Sequence, residues 1–492
     1  MLILFQIAVL ITLIYLLSVK FLWVYTLFEI LSILLAIVLI CKKDNNYYKM
    51  SWVVFILAIP LFGGIIYLIW GGNRIFPHIK KRLRHSQRDQ GMYLVQNLHV
   101  ESRLEYEDLH HSRQSKYLRR ESGYPVYSGT TTEYLSPGEV LFPRLLEELE
   151  SAKNYIFIEF FILSEGYMWD KIQSILKRKA AEGVEVKIIF DDFGSIMRQG
   201  RDFVKELRSE GIEVSVFNPI RPSVDLFMNN RNHRKIVVID GKVAITGGFN
   251  IGDEYINRVR MFGYWMDSGL ILKGDAVTSF VVMFCNMWRF INSTDINIRR
   301  YIGYHSEPAA TGFAQPYCDG PLDNRNPAKG IYMQILNTAQ RYVYITSPYL
   351  ILDDEMLTAL CLAAKSGIDV RIITPAKWDK WYVHPVTQYY YEDLLKAGVK
   401  IYEYTPGFMH SKLFVSDDRV ATVGTVNMDF RSFYFHFECG VWMCGTPSVM
   451  DIKRQFNSLL QQSSEITLSD WRRRPLGQKL KQSLFHMFAP FM

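Results

Sequence analysis

The chain has 492 residues, 49% of them apolar, enough for two or three domains with large cores. Its formal charge of +7 is modest for this length and gives no ground for a nucleic-acid partner. Six cysteines (Cys41, Cys285, Cys318, Cys361, Cys439, Cys444) lack zinc-type spacing. Reduced thiols are expected, with Cys439 and Cys444 packed as small apolar groups.

Residues 1 to 41 are almost uninterrupted apolar sequence, broken by Lys20 and Glu29. A single helix of that length would run roughly 60 Å, twice the ~30 Å of bilayer hydrocarbon, so two passes turning near Ser18 to Phe21 are expected. The N-terminus has neither the basic region nor the small-residue cleavage site of a signal peptide. After the polar loop Lys42 to Lys49 comes a second apolar block, Trp52 to Trp70, giving two or three membrane helices within residues 1–72. Lys42, Lys43 and Lys49 stand on one side of that block; Arg74, Lys80, Lys81, Arg82 and Arg84 stand on the other. The positive-inside rule places the chain beyond the block in the cytoplasm. Residues 73–130 are read as a basic juxtamembrane linker, able to hold anionic head groups or simply solvated.

Beyond the linker, strands and helices alternate. Helical spacing at Val140 to Lys153 precedes the strand Tyr155 to Leu163. A helix around Trp169 to Ala181 precedes the strand Val184 to Phe190, and a helix near Asp202 to Glu210 precedes the strand Ile212 to Phe217. The order repeats later: a helix ending at Ala339, a strand Tyr342 to Ser347, a helix around Met356 to Lys365 and a strand Ile368 to Thr374. The fold class is α/β, with two duplicated α/β sandwich domains at 131–293 and 331–492 and a proline-bearing connector at 294–330.

The duplication is sharpest in two short stretches. N-H-R-K-I-V-V-I-D-G-K-V-A-I-T-G-G-F-N carries His233, Lys235, Asp240, Gly247, Gly248 and Asn250. H-S-K-L-F-V-S-D-D-R-V-A-T-V-G-T-V-N carries His410, Lys412, Asp417, Gly424, Thr425 and Asn427 at identical spacing. On a strand, residues two apart share a face, so each copy projects an imidazole and an ammonium together, and the Gly-rich turn returns an amide beside them. Two such half-sites facing each other make a pocket for a phosphodiester. The ammonium groups and amides can bind its non-bridging oxygens, one imidazole can attack phosphorus, and the other can protonate the leaving alkoxide. Asp240 and Asp417 are expected to brace the turns. Asp267 in Y-W-M-D and Glu438 in F-H-F-E are candidate carboxylate partners for the imidazoles, with the pairing left open. Arg431 and Ser432 either bind phosphate or support their loop. His384, without a lysine partner, is not expected to be catalytic.

These paired motifs are similar to the HKD motifs of the phospholipase D superfamily, and the chain from about residue 21 onward resembles its bacterial cardiolipin synthases. The P-L-F-G-G of the second apolar block and the P-G-F-M-H before the second motif belong to that resemblance. It implies two phospholipase D-like domains sharing one active site behind a multi-pass anchor in the cell membrane. It further implies catalytic residues His233, Lys235, Asp240, His410, Lys412 and Asp417, substrate-binding residues Asn250, Asn427, Gly248 and Thr425, and supporting carboxylates Asp267 and Glu438. His233 would be the nucleophile and His410 the general acid and base, with no metal and no cofactor. The reaction implied is phosphatidyl transfer between two phosphatidylglycerol molecules, giving cardiolipin and glycerol. Hydrolysis of a membrane phospholipid to phosphatidic acid is the alternative, and a nuclease a more distant one. The family's usual Asn two residues before Glu438 is His436 here, which puts a local hydrogen bond in question. The basic and apolar tail from Arg472 to Phe491 is read either as an amphipathic membrane contact or as a packed terminal helix.

Overall fold

The computed structural model describes residues 12, 15, 22–42, 46–68, 77–220, 229–303, 310–322 and 325–492. They fall into two compact units. One holds the N-terminal apolar helices together with residues 487–491, and the other holds 77–220 and nearly all of 229–486.

In the first unit, Leu22–Cys41 is a 20-residue helix, about 30 Å at 1.5 Å per residue, which matches bilayer hydrocarbon. Among the described residues it is the one helix long and apolar enough to cross a membrane. The second apolar block does not form a continuous span. Its helix Asn46–Ala58 stops at Ile59, and Pro60 starts a new helix, Pro60–Ile66. A proline lacks the N–H that would continue the ladder, and its ring obstructs the preceding turn. Of the two or three expected spans, the described residues contain one helix of full spanning length. The expected first pass before Phe21 and the end of the block at Trp70 lie outside the described residues. Ser32 donates to the Pro60 carbonyl at 2.9 Å and Lys42 to the Tyr67 hydroxyl at 2.6 Å, tying the helices together.

The second unit contains both halves of the duplication. The first sheet runs, neighbour to neighbour, Thr130–Leu135, Gly269–Gly274, Val243–Gly247, Ile236–Ile239, Tyr155–Phe160, Glu185–Asp191 and Glu213–Phe217. The second runs Phe313–Asp319, His436–Cys444, Val420–Gly424, Leu413–Ser416, Tyr342–Thr346, Asp369–Pro375, Lys400–Tyr404 and Ser463–Ile466. Strand for strand the orders agree, with one strand added at the end of the second, so the repeat embraces whole domains. Tyr155–Phe160 pairs parallel to Glu185–Asp191 and antiparallel to Ile236–Ile239 and is buried along its whole length, which is why it reads as a near-continuous apolar run. The helix Val277–Asn292, buried from Val277 to Phe290, packs against strands of both sheets.

Two expected boundaries move. The linker at 73–130 is largely helical: Pro77–Ser86, Leu98–Glu107 and Leu109–Ser122 are helices. Leu118 is fully buried, and Gln114 links the second half by donating to Thr338 and accepting from the Trp442 indole. The connector at 294–330 contains Phe313–Asp319, the edge strand of the second sheet, and the helix Pro327–Thr338 begins inside it.

Candidate active site

Each motif histidine stands just before a buried strand, on a lead-in segment that pairs with the other half. Arg231–Asn232 lies parallel to His436–Phe437, in the register Arg231 to His436 and Asn232 to Phe437. Gly407–Met409 lies parallel to Tyr264–Met266, with Met409 opposite Met266. One step further along each pair, His233 meets Glu438 and His410 meets Asp267. Backbone bonds fix both steps: the His233 N–H donates to the Phe437 carbonyl at 2.9 Å, and the His410 N–H to the Met266 carbonyl at 2.8 Å.

The side chains obey the same pairing. His233 Nδ1 lies 2.9 and 3.0 Å from the two Glu438 oxygens, and His410 Nδ1 lies 2.6 Å from Asp267 Oδ2. Each imidazole is therefore held by a carboxylate of the opposite half, which resolves the pairing that the sequence left open. A proton on Nδ1 facing the carboxylate leaves Nε2 to do chemistry. Lys235 and Lys412 are buried beside them and donate to the carbonyls of His233 (2.7 Å) and His410 (2.5 Å). Lys412 Nζ is also 3.0 Å from the His410 ring nitrogens.

Burial pushes the Lys235 ammonium down to about 7 and that of Lys412 to about 8. Burial and then the neighbouring lysines lower His410 to about 4, with Asp267 opposing them. His233 is driven well below the usual range by burial, then by Lys235, His436 and Lys412. The carboxylates differ. Against the burial penalty, His410 and Lys412 hold Asp267 below its usual range, whereas burial lifts Glu438 well above its own.

Several expected substrate contacts are spent on the scaffold instead. The Gly248 N–H donates to the Ser268 carbonyl at 3.0 Å, and a Cβ at Gly248 would collide with Asp267 Oδ1. Gly248 is therefore the gap into which Asp267 fits. Its counterpart Thr425 donates its hydroxyl to Glu438 and receives the Cys439 N–H at 3.0 Å. Both Gly248 and Thr425, expected to bind substrate, stand here against the carboxylates Asp267 and Glu438. Asn250 is also engaged, accepting from the Ile162 N–H (3.0 Å) and donating to the Tyr255 hydroxyl (2.7 Å). Asn427 keeps its amide oxygen buried without a hydrogen bond. Buried polar groups ordinarily find partners, so Asn427, unlike Asn250, has an acceptor that the scaffold does not use.

Asp240 and Asp417 do not reach the imidazoles. Each lies seven residues beyond its histidine at the other end of a buried strand, on the order of 20 Å away at ~3.3 Å per residue. Asp240 accepts the N–H groups of Lys153, Asn154 and Tyr155, and Asp417 those of Gln340, Arg341 and Tyr342, at 2.7 to 3.0 Å. Both brace the turn, as expected of them.

His436 fills the position expected to be Asn. Its Nδ1 is 3.6 Å from Glu438 Oε1, its Nε2 accepts from Arg431 Nε at 3.4 Å, and its ring stands 5.5 Å from that of His233. Arg431 thus backs the Glu438 side of the site, and Ser432 supports its loop by accepting the Asn427 N–H at 3.2 Å. Nitrogen or oxygen atoms of His233, His436 and Glu438 lie within 4.8 Å of one another. That is a metal-ligand spacing, but His233 Nδ1 is already bonded to Glu438 and the buried lysines put positive charge beside it. Phe408 and Met409, which lead into the second motif, are buried.

Sequence reading missed the groups that join the halves. Ser268 and Ser411 share a hydroxyl hydrogen bond of 2.7 Å, the Trp265 ring packs 5.0 Å from His410, and Tyr255 lies 5.6 Å from it. Behind His233, Asn232 donates to Glu159 at 2.8 Å, while its N–H reaches Asp191 at 2.9 Å. The signal for this last network was available: Glu159 is the one charge within the apolar Y-I-F-I-E-F.

Comparison with known proteins gives the same pattern of similarity. A family model described as cardiolipin synthase, PLD-like domain, matches residues 145–288 and 332–460, and one described as phospholipase D-nuclease N-terminal matches 21–72. A cardiolipin synthase of Geobacillus sp. (strain WCH70) is 34% identical over 468 residues, covering 94% of this chain and 92% of that protein. Cardiolipin synthase 2 of Bacillus anthracis is 32% identical over 469 residues, covering 94% and 91%. The crystal structure of a phosphatidylserine synthase from Haemophilus influenzae Rd KW20 matches 77% of this chain and 97% of its own, with a TM-score of 0.57 at 13% identity, a likeness of fold.

Proposed function

We propose, for a chain that belongs to the cardiolipin synthase family of phospholipase D-like proteins, that it moves a phosphatidyl group from one phosphatidylglycerol to the glycerol hydroxyl of another. The observation that carries this is the reciprocal clamp: two imidazoles, each held at Nδ1 by the opposite half, with a buried lysine beside each. In the first half-reaction His233 Nε2 attacks phosphorus, the bond to the glycerol oxygen breaks, and His410 gives that oxygen a proton. In the second, His410 takes the proton of the incoming hydroxyl, its oxygen attacks phosphorus, and the phosphorus–nitrogen bond to His233 breaks. Lys235 and Lys412, with the amide NH2 of Asn427, would donate to the non-bridging oxygens.

The assignment of roles is supported by the unequal carboxylates. Asp267, kept ionised, opposes the burial and the lysines that lower His410 to about 4, so once an anionic phosphodiester offsets the lysine charge His410 is the histidine placed to carry the proton and act as the acid. Glu438, accepting from His233 Nδ1–H, fixes the tautomer in which His233 Nε2 carries the free lone pair, and burial with the neighbouring lysines keeps that ring neutral and nucleophilic. We further propose that Leu22–Cys41 crosses the membrane as part of a multi-pass anchor with the catalytic unit in the cytoplasm, which the flanking lysines and arginines support.

Full-length protein with labelled phosphatidylglycerol should yield cardiolipin and glycerol, resolved by chromatography; phosphatidic acid alone would replace transfer by hydrolysis. The roles have their own test. In His410→Ala, a p-nitrophenyl phosphodiester, whose leaving group needs little protonation, should leave a phosphohistidine at His233 visible by mass spectrometry. Label at His410 in His233→Ala would reverse the assignment.

A further inference from the structure

The catalytic unit carries a surface that the reaction does not use. Its last helix, Leu476–His486, exposes Leu476, Leu480 and Leu484 at 82%, 72% and 55%. At about 100° per residue these three form one stripe, with Lys479 and Lys481 on its two flanks. The opposite side is packed on the protein: Gln482 is buried and bonds Gln388 at 3.3 Å, Phe485 meets the Trp381 ring edge-on at 5.6 Å, and His486 stacks on Tyr389 at 3.9 Å. The helix is therefore fixed by one face while a leucine stripe remains uncovered.

The stripe continues onto the loop it packs against. Trp378 and Trp381 are 50% and 55% exposed, and Lys481 Nζ lies 5.9 Å from the Trp381 ring centre. This loop leads to the active site, since Lys380 donates to the Tyr349 hydroxyl at 3.2 Å, the Tyr349 ring lies 6.4 Å from Phe408, and Phe408 lies 5.9 Å from His410. At its other end the helix passes directly into Met487, which belongs to the unit of apolar helices. There Ser51 donates to the Met487 carbonyl at 2.8 Å and Phe491 packs on Trp52 at 5.2 Å.

We infer that Leu476–His486 and the Trp378–Trp381 loop form a docking surface for an anionic bilayer, with the leucines in the acyl boundary, the tryptophans at head-group level and the lysines on lipid phosphates. The composition argues for lipid over a second protein: leucines flanked on both sides by lysines, with interfacial tryptophan beside them, match the two layers of a leaflet. Exposed Arg472 and Arg473 at the helix's approach add to the charge. Seated this way, the bilayer would present head groups to the His410 side of the site.

The test uses full-length protein in vesicles, with Cys41, Cys318 and Cys361 replaced by serine and an environment-sensitive fluorophore at Leu480→Cys or, as a water-exposed control, Tyr106→Cys. Brominated acyl chains should quench the Leu480 label at least threefold more than the control in phosphatidylglycerol vesicles, and the excess should shrink in pure phosphatidylcholine. Quenching equal to the control overturns the docking surface, and quenching indifferent to anionic lipid overturns the role given to the lysines. This readout needs no turnover, so it stands or falls apart from the proposed reaction. In a second arm, Leu480→Glu should lower turnover on phosphatidylglycerol vesicles about tenfold and spare a soluble short-chain phosphodiester. Unchanged vesicle turnover, or equal loss on both substrates, counts against the surface.

Discussion

Lys235 is fully buried, a position that costs several kcal/mol for an isolated ammonium, and its depressed titration near 7 records that cost. A fold optimised for stability alone would place methionine there. Lys235→Met is therefore expected to abolish transfer yet raise the unfolding free energy by about 1–3 kcal/mol, seen as a higher Tm in the same detergent. The same group sets the sign of the pH dependence. The folded pKa lies below the unfolded one, so between about 7 and 10.5 the unfolded chain binds more protons and stability rises with pH. Substrate binding runs the other way. An anionic phosphodiester needs the ammonium forms, which the empty site loses as pH climbs through about 7 for Lys235 and 8 for Lys412. KM should thus increase above pH 8 while Tm does not fall, a divergence readable from a kcat/KM profile beside a melting series. His233, Lys235, His410 and Lys412 were legible because period-two spacing puts each pair on one face. The contacts of Gly248 with Asp267 and of Thr425 with Glu438 were not legible, because nothing in the spacing shows which side chain turns toward which carboxylate.

At the scale of elements, the device that makes the site is the pairing of each lead-in segment with the strand that carries the other half's carboxylate. Nothing local in the sequence encodes a parallel register between strands some 140 to 200 residues apart, so Asp267 and Glu438 could be singled out but not assigned. The helices at 77–122 were hidden for a different reason. Their buried side is narrow, and the rest is charged, so the composition resembles a linker. Crossed pairing makes the two carboxylates separable by experiment. Asp267→Asn removes the charge behind the His410 imidazolium, while Glu438→Gln disturbs the tautomer of His233. The first should slow glycerol release by on the order of 10²–10⁴ and a p-nitrophenyl leaving group far less. The second should slow both alike, because the attack itself is impaired. Equal leaving-group sensitivity in the two variants would mean that the histidines do not divide the roles as proposed.

For the whole molecule, two sheets of matching strand order enclose one site, and the chain devotes a separate unit to apolar helices. One spanning helix was legible from length and hydropathy alone; the break at Pro60 was present in P-L-F-G-G but looked like a family signature rather than an interruption. A membrane position bears on the choice between transfer and hydrolysis, which the catalytic residues leave open. In the proposed mechanism water and phosphatidylglycerol compete for the same phosphohistidine, and the winner is set by their local concentrations rather than by His410, which could deprotonate either. Within a bilayer the acceptor is confined to a thin layer and its effective concentration is high. Diluting phosphatidylglycerol into an inert detergent lowers that concentration without changing the water. The ratio of cardiolipin to phosphatidic acid should then fall in proportion to the mole fraction of phosphatidylglycerol in the mixed micelle, with glycerol release tracking donor occupancy alone. Chromatography of both lipid products across a tenfold surface dilution tests this. A ratio that stays constant would mean that the acceptor does not reach the intermediate from the surrounding lipid, and would sink intermolecular transfer as the second half-reaction.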